Sequence, residues 1–231
     1  MILKGIQKTT LLDYPEKLAC TVFTGGCNFR CPFCHNASLV MRPAEVEELS
    51  EELFFAYINK RKGLLDGVCI TGGEPLLNKD IEEFISRIKS LGFLVKLDTN
   101  GAFPDRLEVL LDKGLVDYVA MDVKNSPSKY ALTAGLEDKL DISAIERSIK
   151  LIMDKAPDYE FRTTVVRELH TPQDIEDITK WLCGTRRYFL QKYVDSGDIL
   201  LDGYSAYSDS QMQELHAIAC KNIPHTILRG V

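Results

Sequence analysis

Three cysteines, Cys27, Cys31 and Cys34, lie within eight residues of one another. The spacing CxxxCxxC places three thiols on one short loop, close enough to hold three corners of an iron–sulfur cube. The loop offers no fourth cysteine, so one iron of such a cluster would lack a protein ligand. An iron with an open position can bind a small molecule and act on it, whereas a fully ligated cluster usually carries only electrons. We therefore predict a catalytic 4Fe–4S cluster at this loop, residues 25–38.

A structural zinc site is the main alternative for these cysteines. Zinc sites usually combine two ligand pairs, and the second pair is missing here. His35 is a poor fourth ligand because it directly follows Cys34, and adjacent side chains tend to point apart. Disulfides are a weaker alternative, since seven cysteines are an odd number and the first ten residues lack a secretory apolar core. We expect a cytoplasmic protein, and a non-enzymatic zinc module stays open as an alternative.

The composition is that of an ordinary globular protein. Of 231 residues, 45% are hydrophobic and 27% are charged, and the formal net charge is −6. An acidic chain without a long basic run is a poor nucleic-acid binder, and no apolar stretch is long enough to span a bilayer. Because no linker or repeat is evident, we expect one domain over residues 1–231.

Short β-rich runs alternate with amphipathic stretches along the chain. Strands are predicted at 18–24, 67–71, 93–98, 116–123, 159–166 and 186–193, with a short β-like end at 225–230. Helices are predicted near 44–61, 78–91, 104–113, 142–154, 172–183 and 208–220. Repeated strand–helix units at this spacing predict an α/β fold with parallel strands, a partial (β/α)6 barrel of the TIM type. The active site of such a barrel lies at the C-terminal ends of its strands.

Chemically unusual residues follow the second and third predicted strands. Gly72, Gly73 and Glu74 stand in the sequence GGEP, where the glycines permit close approach to a ligand, although a strand-to-helix turn often needs glycine anyway. Asp98 ends the third strand, and a buried carboxylate there costs free energy unless it is paired or bound to a cation. The dipeptide at 100–101 is read as a tight Asn-Gly turn.

The fourth and fifth predicted strands add further charges. Asp122 and Lys124 share one face by strand alternation, either as a surface ion pair or as a grip on a charged substrate at the barrel mouth. Arg162 stands within the fifth strand, where either a bidentate grip on a carboxylate or an edge position facing water would explain it. Cys69 and His170 are interpreted as structural residues.

With these motifs in order, the chain resembles the radical S-adenosylmethionine (SAM) superfamily. The stretch LLDYPEKLACTVFTGGCNFRCPFCHN looks most like the activating proteins of anaerobic ribonucleoside-triphosphate reductase. The order CxxxCxxC, GGEP, LDTNG and MDVK is also similar to pyruvate formate-lyase activating enzyme. The resemblance covers roughly residues 10–165 and fades towards the C-terminal segment 195–231, whose role stays unassigned.

The resemblance implies a radical SAM oxidoreductase with one 4Fe–4S cluster. In that family SAM chelates the open iron, and its reductive cleavage gives a 5′-deoxyadenosyl radical that takes a hydrogen atom from a glycine of a partner enzyme. The implied partner is anaerobic ribonucleotide reductase, with pyruvate formate-lyase or another glycyl-radical enzyme as an alternative. A radical SAM enzyme for a small molecule is a further alternative. Because no extra cysteine insertion follows the first motif, flavodoxin or ferredoxin is implied as the electron donor.

The resemblance also implies which residues contact SAM. The adenine side is assigned to Phe33, Cys34 and His35. The SAM amino group is assigned to Gly72, Gly73 and Glu74. The methionine carboxylate or the incoming glycine loop is assigned to Asp122, Lys124 and Arg162.

A monovalent cation beside SAM is a further implication, drawn from pyruvate formate-lyase activating enzyme. Asp98 and Thr99 stand at the matching places, and Ala120 would offer only a backbone carbonyl. The late histidine of that family has no counterpart in the segment 189–197, where Gln191 is the candidate substitute.

Overall fold

An open sheet of eight strands forms the centre of the computed structural model, which describes residues 1–136, 139–195 and 197–231. The first strand, β1 (Leu3–Thr10), pairs antiparallel with β2 (Ala19–Thr24), and every later pair is parallel and in chain order. The other strands are β3 (Gly67–Gly72), β4 (Leu94–Thr99), β5 (Tyr118–Asp122), β6 (Asp158–Val165), β7 (Tyr188–Lys192) and β8 (Thr226–Arg229). Within the described residues β8 does not pair back to β1, so the barrel is partial, as predicted.

Helices lie between the parallel strands and cover one face of the sheet. They are α1 (Ala37–Met41), α2 (Glu51–Asn59), α3 (Ile81–Ser90), α4 (Pro104–Asp112), α5 (Tyr130–Ala134), α6 (Ile142–Lys155), α7 (Pro172–Trp181) and α8 (Asp209–Ala219). Their starts follow from capping chemistry: Thr171 and Ser208 each form a capping box, and Pro104 occupies a first-turn position. None of the described helices is long and apolar enough to cross a membrane.

The strands present two different faces because side chains alternate along them. Val95 and Leu97 of β4 join the apolar cluster that also contains Ile85 and Ile88 of α3. This face forms the hydrophobic core between the sheet and the helices. The opposite face carries an unusual set of charged side chains, which includes Lys96, Asp98, Asp122, Glu160 and Arg162. A fold of this kind therefore directs its charged residues into the concave side of the barrel.

The predicted strands agree with the observed ones to within two residues at each end. The sequence reading missed β1, whose polar residues 7–9 are exposed at the sheet edge and hide the alternating pattern. The helix predicted at 44–61 is wrong over residues 46–50, because Leu49 is held in a β-bridge to Leu3. A short helix, α5, occupies the stretch read as irregular. Residues 137 and 138 of that stretch, and residue 196 of the segment 189–197, lie outside the described residues.

Candidate active site

A cavity of about 260 Å³ opens at the C-terminal ends of the parallel strands, where this class of barrel carries its active site. Most of the residues predicted for the site line this one cavity: Cys27, Cys31, Phe33, Cys34, His35, Gly72, Gly73, Asp98, Thr99, Asp122, Lys124 and Arg162. Gln191 lines it as well, from β7. Two of the predicted residues, Glu74 and Ala120, are buried and do not line it. The strand order thus brings together residues that are far apart in sequence.

The cysteine loop is held in place largely by its backbone. The amide of Gly26 donates to the carbonyl of Leu39 at 2.9 Å, and that of Arg30 donates to Ala134 at 2.9 Å. The amide of Leu201 donates to the carbonyl of Pro32 at 2.9 Å, so the C-terminal segment also supports the loop. These bonds fix the backbone between the cysteines without using their side chains, which leaves the thiols available as ligands.

Burial keeps the thiols of Cys27 and Cys31 protonated at neutral pH in the metal-free protein. Burial raises the pKa of Cys27 to about 11 and that of Cys31 to about 12, while the nearby Lys124 ammonium acts in the opposite direction. The amide of Phe29 points at the Sγ of Cys27 from 3.4 Å and would stabilise a thiolate there. Metal binding at this loop must therefore release protons.

The three cysteines suit a cluster better than a single ion. In the part of the chain that the structure describes, no three histidine, cysteine or carboxylate side chains are placed to hold one metal ion. A cubane makes a different demand, because each of its thiolate ligands binds a different iron. The donor set fits three corners of a 4Fe–4S cluster, and the neighbouring cavity leaves room beside the fourth.

The GGEP segment packs directly against the cysteine loop. The amide of Glu74 donates to the carbonyl of Gly26 at 2.8 Å, and the Nδ2 of Asn36 donates to the carbonyl of Gly72 at 3.0 Å. A Cβ atom built on Gly73 would stand 1.8 Å from the oxygen of Gly26. Glycine is required at position 73 because the two loops touch there, which gives this residue a structural role in addition to its place on the cavity wall.

Glu74 is buried behind the cavity, and its carboxylate joins two loops. It accepts hydrogen bonds from the amide of Leu76 at 3.0 Å, the hydroxyl of Thr99 at 2.9 Å and the amide of Asn100 at 2.7 Å. Burial raises the pKa of Glu74 to about 7, although these donors act to lower it. The side chain predicted to meet the SAM amino group therefore anchors the LDTNG turn to the GGEP turn.

Asn100 belongs to the site, although the sequence predicts only a tight turn at this position. Gly101 has a φ of 79°, as a turn requires, but the chain continues into α4 and not into a hairpin. The Nδ2 of Asn100 donates to Asn28 at 2.8 Å and lies 3.7 Å from the Sγ of Cys27. The helix that is predicted after this dipeptide, near 104–113, already excludes a hairpin turn at 100–101.

Charged side chains form a continuous layer on the concave face, which we call the interior charge layer: Lys96, Asp98, Asp122, Lys124, Glu160 and Arg162. The Nε of Arg162 donates to Asp122 at 2.8 Å, and its Nη1 lies 3.4 Å from Asp98. Lys124 pairs with Asp122 at 3.1 Å. Burial acts to raise the pKa of Asp122, but Arg162 and Lys124 outweigh it and hold the pKa below its ordinary value. Burial also acts to raise the pKa of Asp98, but Arg162 and Lys96 outweigh it, so both aspartates of the layer are ionised at neutral pH.

The positions of these side chains bear on two alternatives that the sequence left open, one for Arg162 and one for Asp122 with Lys124. The strand β6 lies between β5 and β7, so Arg162 is not on an edge facing water. Asp122 and Lys124 do form an ion pair, but they line the cavity, where a charged ligand could contact them. His170 is structural, since its buried ring contacts the carbonyl of Lys124 at 2.8 Å and the amide of Val166 at 3.1 Å.

The oxygens predicted to bind a monovalent cation have other partners. Asp98 pairs with the ammonium of Lys96, a residue that the sequence reading passed over. The hydroxyl of Thr99 donates to Glu74 and accepts from the amide of Gly101 at 3.1 Å. Ala120 lies within a strand paired on both sides, where carbonyls join the ladder. Lys96 could have been identified from the sequence, because it stands two residues before Asp98 and therefore on the same face of a buried strand.

Comparison with known proteins agrees with this geometry. Residues 21–182 match the family model described as the Radical SAM superfamily. A protein of Methanocaldococcus jannaschii that is provisionally named a glycyl-radical enzyme activating enzyme is 34% identical over 238 residues, which cover 100% of this chain and 96% of that protein. A second protein of the same organism, provisionally given the same kind of name, is 29% identical over 163 residues, 70% of this chain and 62% of its own.

Among solved structures, Streptococcus suis SuiB bound to S-adenosylmethionine superposes with a TM-score of 0.67 at 14% identity. The match covers 90% of this chain and 49% of SuiB, and it concerns the fold alone. The family model spans most of the chain, and the first relative aligns along its full length. The chain therefore belongs to the radical SAM superfamily, and it is a radical SAM enzyme built on the partial barrel that the sequence predicted.

Proposed function

We propose that this enzyme activates a glycyl-radical enzyme, and that anaerobic ribonucleoside-triphosphate reductase is its partner. The observation that carries the proposal is the 34% identity to a provisionally named activating enzyme over the whole chain. That match includes the C-terminal part of the chain, where the resemblance read from the motifs had faded. The similarity of residues 11–36 to reductase activating proteins supports this choice of partner.

The residues at the cavity suit the chemistry of this class. Cys27, Cys31 and Cys34 would hold a 4Fe–4S cluster, which together with SAM supplies an adenosyl radical able to take a hydrogen atom from a glycine. Lys124 and Arg162 place two cationic groups beside the cysteines, where they would attract the carboxylate of an amino-acid ligand. Asp122 would accept hydrogen bonds from an ammonium group at the same place.

Two aromatic side chains of the cysteine loop, Phe33 and His35, line the cavity and pack against Tyr193. The ring of His35 lies 5.5 Å from that of Tyr193, and Phe33 meets the same tyrosine edge-on at 6.5 Å. Flat apolar surfaces of this kind suit a purine base. We propose that residues 33–35 contact the adenine of SAM.

The electron source must be a separate protein under this proposal. The chain has the cysteines for one cluster, and its other four cysteines, Cys20, Cys69, Cys183 and Cys220, are dispersed. We propose flavodoxin or ferredoxin as the donor.

The experiment is an anaerobic activation assay followed by electron paramagnetic resonance. The reconstituted enzyme, SAM and a reductant are mixed with anaerobic ribonucleotide reductase or, separately, with pyruvate formate-lyase from the same genome. A carbon-centred radical in the reductase whose hyperfine splitting collapses after α-deuteration of glycine would support the proposal. A radical that forms only in pyruvate formate-lyase would show that this enzyme, and not the reductase, is the partner. Cleavage of SAM with no radical in either protein would favour a small-molecule substrate instead.

A further inference from the structure

We propose that the ammonium group of Lys96 is a built-in cation of the SAM site, so that SAM binding needs no added monovalent cation. Its position in the interior charge layer gives it this role: it balances Asp98, so that the positive charge of Arg162 is left in excess and can attract the carboxylate of the ligand. The inference rests on the SAM-binding part of the proposed function and is independent of which partner is activated.

Lys96 is buried, with 1% of its surface exposed, and does not line the cavity. Its Nζ contacts Asp98 directly, lies 3.8 Å from the Sγ of Cys69, and stands 5.9 Å from the ring centre of Tyr118. A lysine at such a position is costly unless its charge is paired. Among the described residues Asp98 is its one carboxylate partner, so the two charges depend on each other.

The pairing of the other charges shows why Asp98 needs a cation in addition to Arg162. Glu160 is paired with Arg229, whose guanidinium contacts both carboxylate oxygens at 3.0 and 3.1 Å. Asp122 is paired with Lys124. Arg162 reaches all three carboxylates, at 2.8, 3.4 and 3.8 Å. With Lys96 on Asp98, each carboxylate has a cation of its own and Arg162 remains as one positive charge in excess.

Loss of Lys96 would remove that excess. Arg162 would then be needed to neutralise Asp98, and the layer counted together with Arg229 would carry no net charge toward an anionic ligand. An external cation at Asp98 could restore the balance, but in the native protein it would have to displace a covalently attached ammonium. The oxygens of Thr99 and Ala120, which could have completed a cation site, are engaged elsewhere in the described structure.

The test measures SAM binding to the cluster-loaded enzyme at constant ionic strength in potassium, sodium or tetramethylammonium chloride. Tetramethylammonium is too large to reach the buried carboxylate. Wild-type affinity should agree within about twofold across the three salts. Lys96→Met keeps the volume but removes the charge, and it should weaken binding by at least about tenfold in tetramethylammonium, because one partner of a buried pair is lost. Potassium or methylammonium should restore part of the affinity.

The matched control is Lys113→Met, which removes an exposed lysine that pairs with Glu82 on the surface. It should bind SAM as the wild type does in every salt. Iron content and thermal unfolding of each variant report whether the fold and cluster are retained. The wild-type salt series requires no variant, so it tests the need for an external cation even if Lys96→Met fails to fold.

Three results would overturn the inference. Wild-type protein that binds SAM in potassium but loses affinity in tetramethylammonium uses an external cation, and this leaves the radical SAM function intact. Lys96→Met that binds SAM with wild-type affinity in tetramethylammonium shows that the ammonium is dispensable. A wild-type protein that bound no SAM in any salt would contradict both the inference and the proposed function.

Discussion

At the residue scale, the site is built from charges that a protein interior normally excludes. Lys96, Asp98, Asp122 and Arg162 lie on the concave face of a sheet whose other face is packed with helices. Each is costly to bury alone, and together they compensate one another. The sequence shows them as isolated charges within apolar strands, and alternation places them on one face. It does not show which cation pairs with which carboxylate, because that depends on the register between β4, β5 and β6.

Arg162→Lys tests the geometry of the layer while keeping its charge. Lysine cannot reach Asp122 and Asp98 at once as the guanidinium does. We expect the dissociation constant of SAM to rise by about tenfold, equivalent to about 1.4 kcal/mol, while the iron content stays unchanged. Isothermal titration on the cluster-loaded enzyme measures this. Arg147→Lys, at an exposed arginine that pairs with Asp105 and Glu108, is the control and should bind normally.

Glu74 makes the stability of the metal-free protein depend on pH. Its pKa of about 7 lies above the ordinary value of 4.5, so the folded protein holds this proton more tightly than the unfolded chain. Its contribution to stability is therefore greatest below pH ~4.5 and is lost as the pH rises through about 7.

We expect the difference in unfolding free energy between wild type and Glu74→Gln to fall by up to about 1.4 kcal/mol per pH unit between those values. Urea unfolding at a series of pH values measures it. Glu83→Gln, on the exposed side of α3, serves as the control. If the unfolding free energies of wild type and Glu74→Gln changed in parallel with pH, the raised pKa of Glu74 would be contradicted.

At the scale of elements, the site depends on three turns that touch one another. The cysteine loop, the GGEP turn and the LDTNG turn are joined by the carbonyl of Gly26 and the carboxylate of Glu74. Sequence reasoning placed each turn after its strand and assigned ligand roles to several residues in them. It could not separate residues that face the cavity from those that join the turns, since Glu74 and Gly73 are adjacent in one motif.

Gly73→Ala tests the contact between the first two of these turns. The new Cβ would overlap the backbone oxygen of Gly26, so the loops must separate. We expect a loss of unfolding free energy of about 1–3 kcal/mol, as for other overpacked contacts, together with reduced iron uptake. Gly5→Ala is the matched control, because a Cβ there meets its nearest side-chain atom at 4.0 Å. Equal iron uptake by the two variants would show that the contact is not needed for cluster assembly.

At the scale of the whole molecule, the repeated alternation of strands and helices was enough to predict a parallel sheet with its site at the carboxyl ends of the strands. The buried strands were located well because they are rich in β-branched and aromatic residues. The prediction failed for β1, which is half exposed, and for residues 46–50, where a long-range bridge to Leu3 prevents a helix. Both failures involve the sheet edge, where contacts between distant segments override local propensity.

The most direct test of the radical SAM function is cluster-dependent cleavage of SAM. Anaerobically reconstituted protein is incubated with SAM and dithionite, 5′-deoxyadenosine is quantified, and iron and sulfide are measured on the same sample. We expect product together with about four irons per chain, as a single cubane requires, from wild type and from Cys183→Ala at the exposed cysteine. Cys31→Ala should give none. Zinc without sulfide in the wild type, or normal product from Cys31→Ala, would contradict the account.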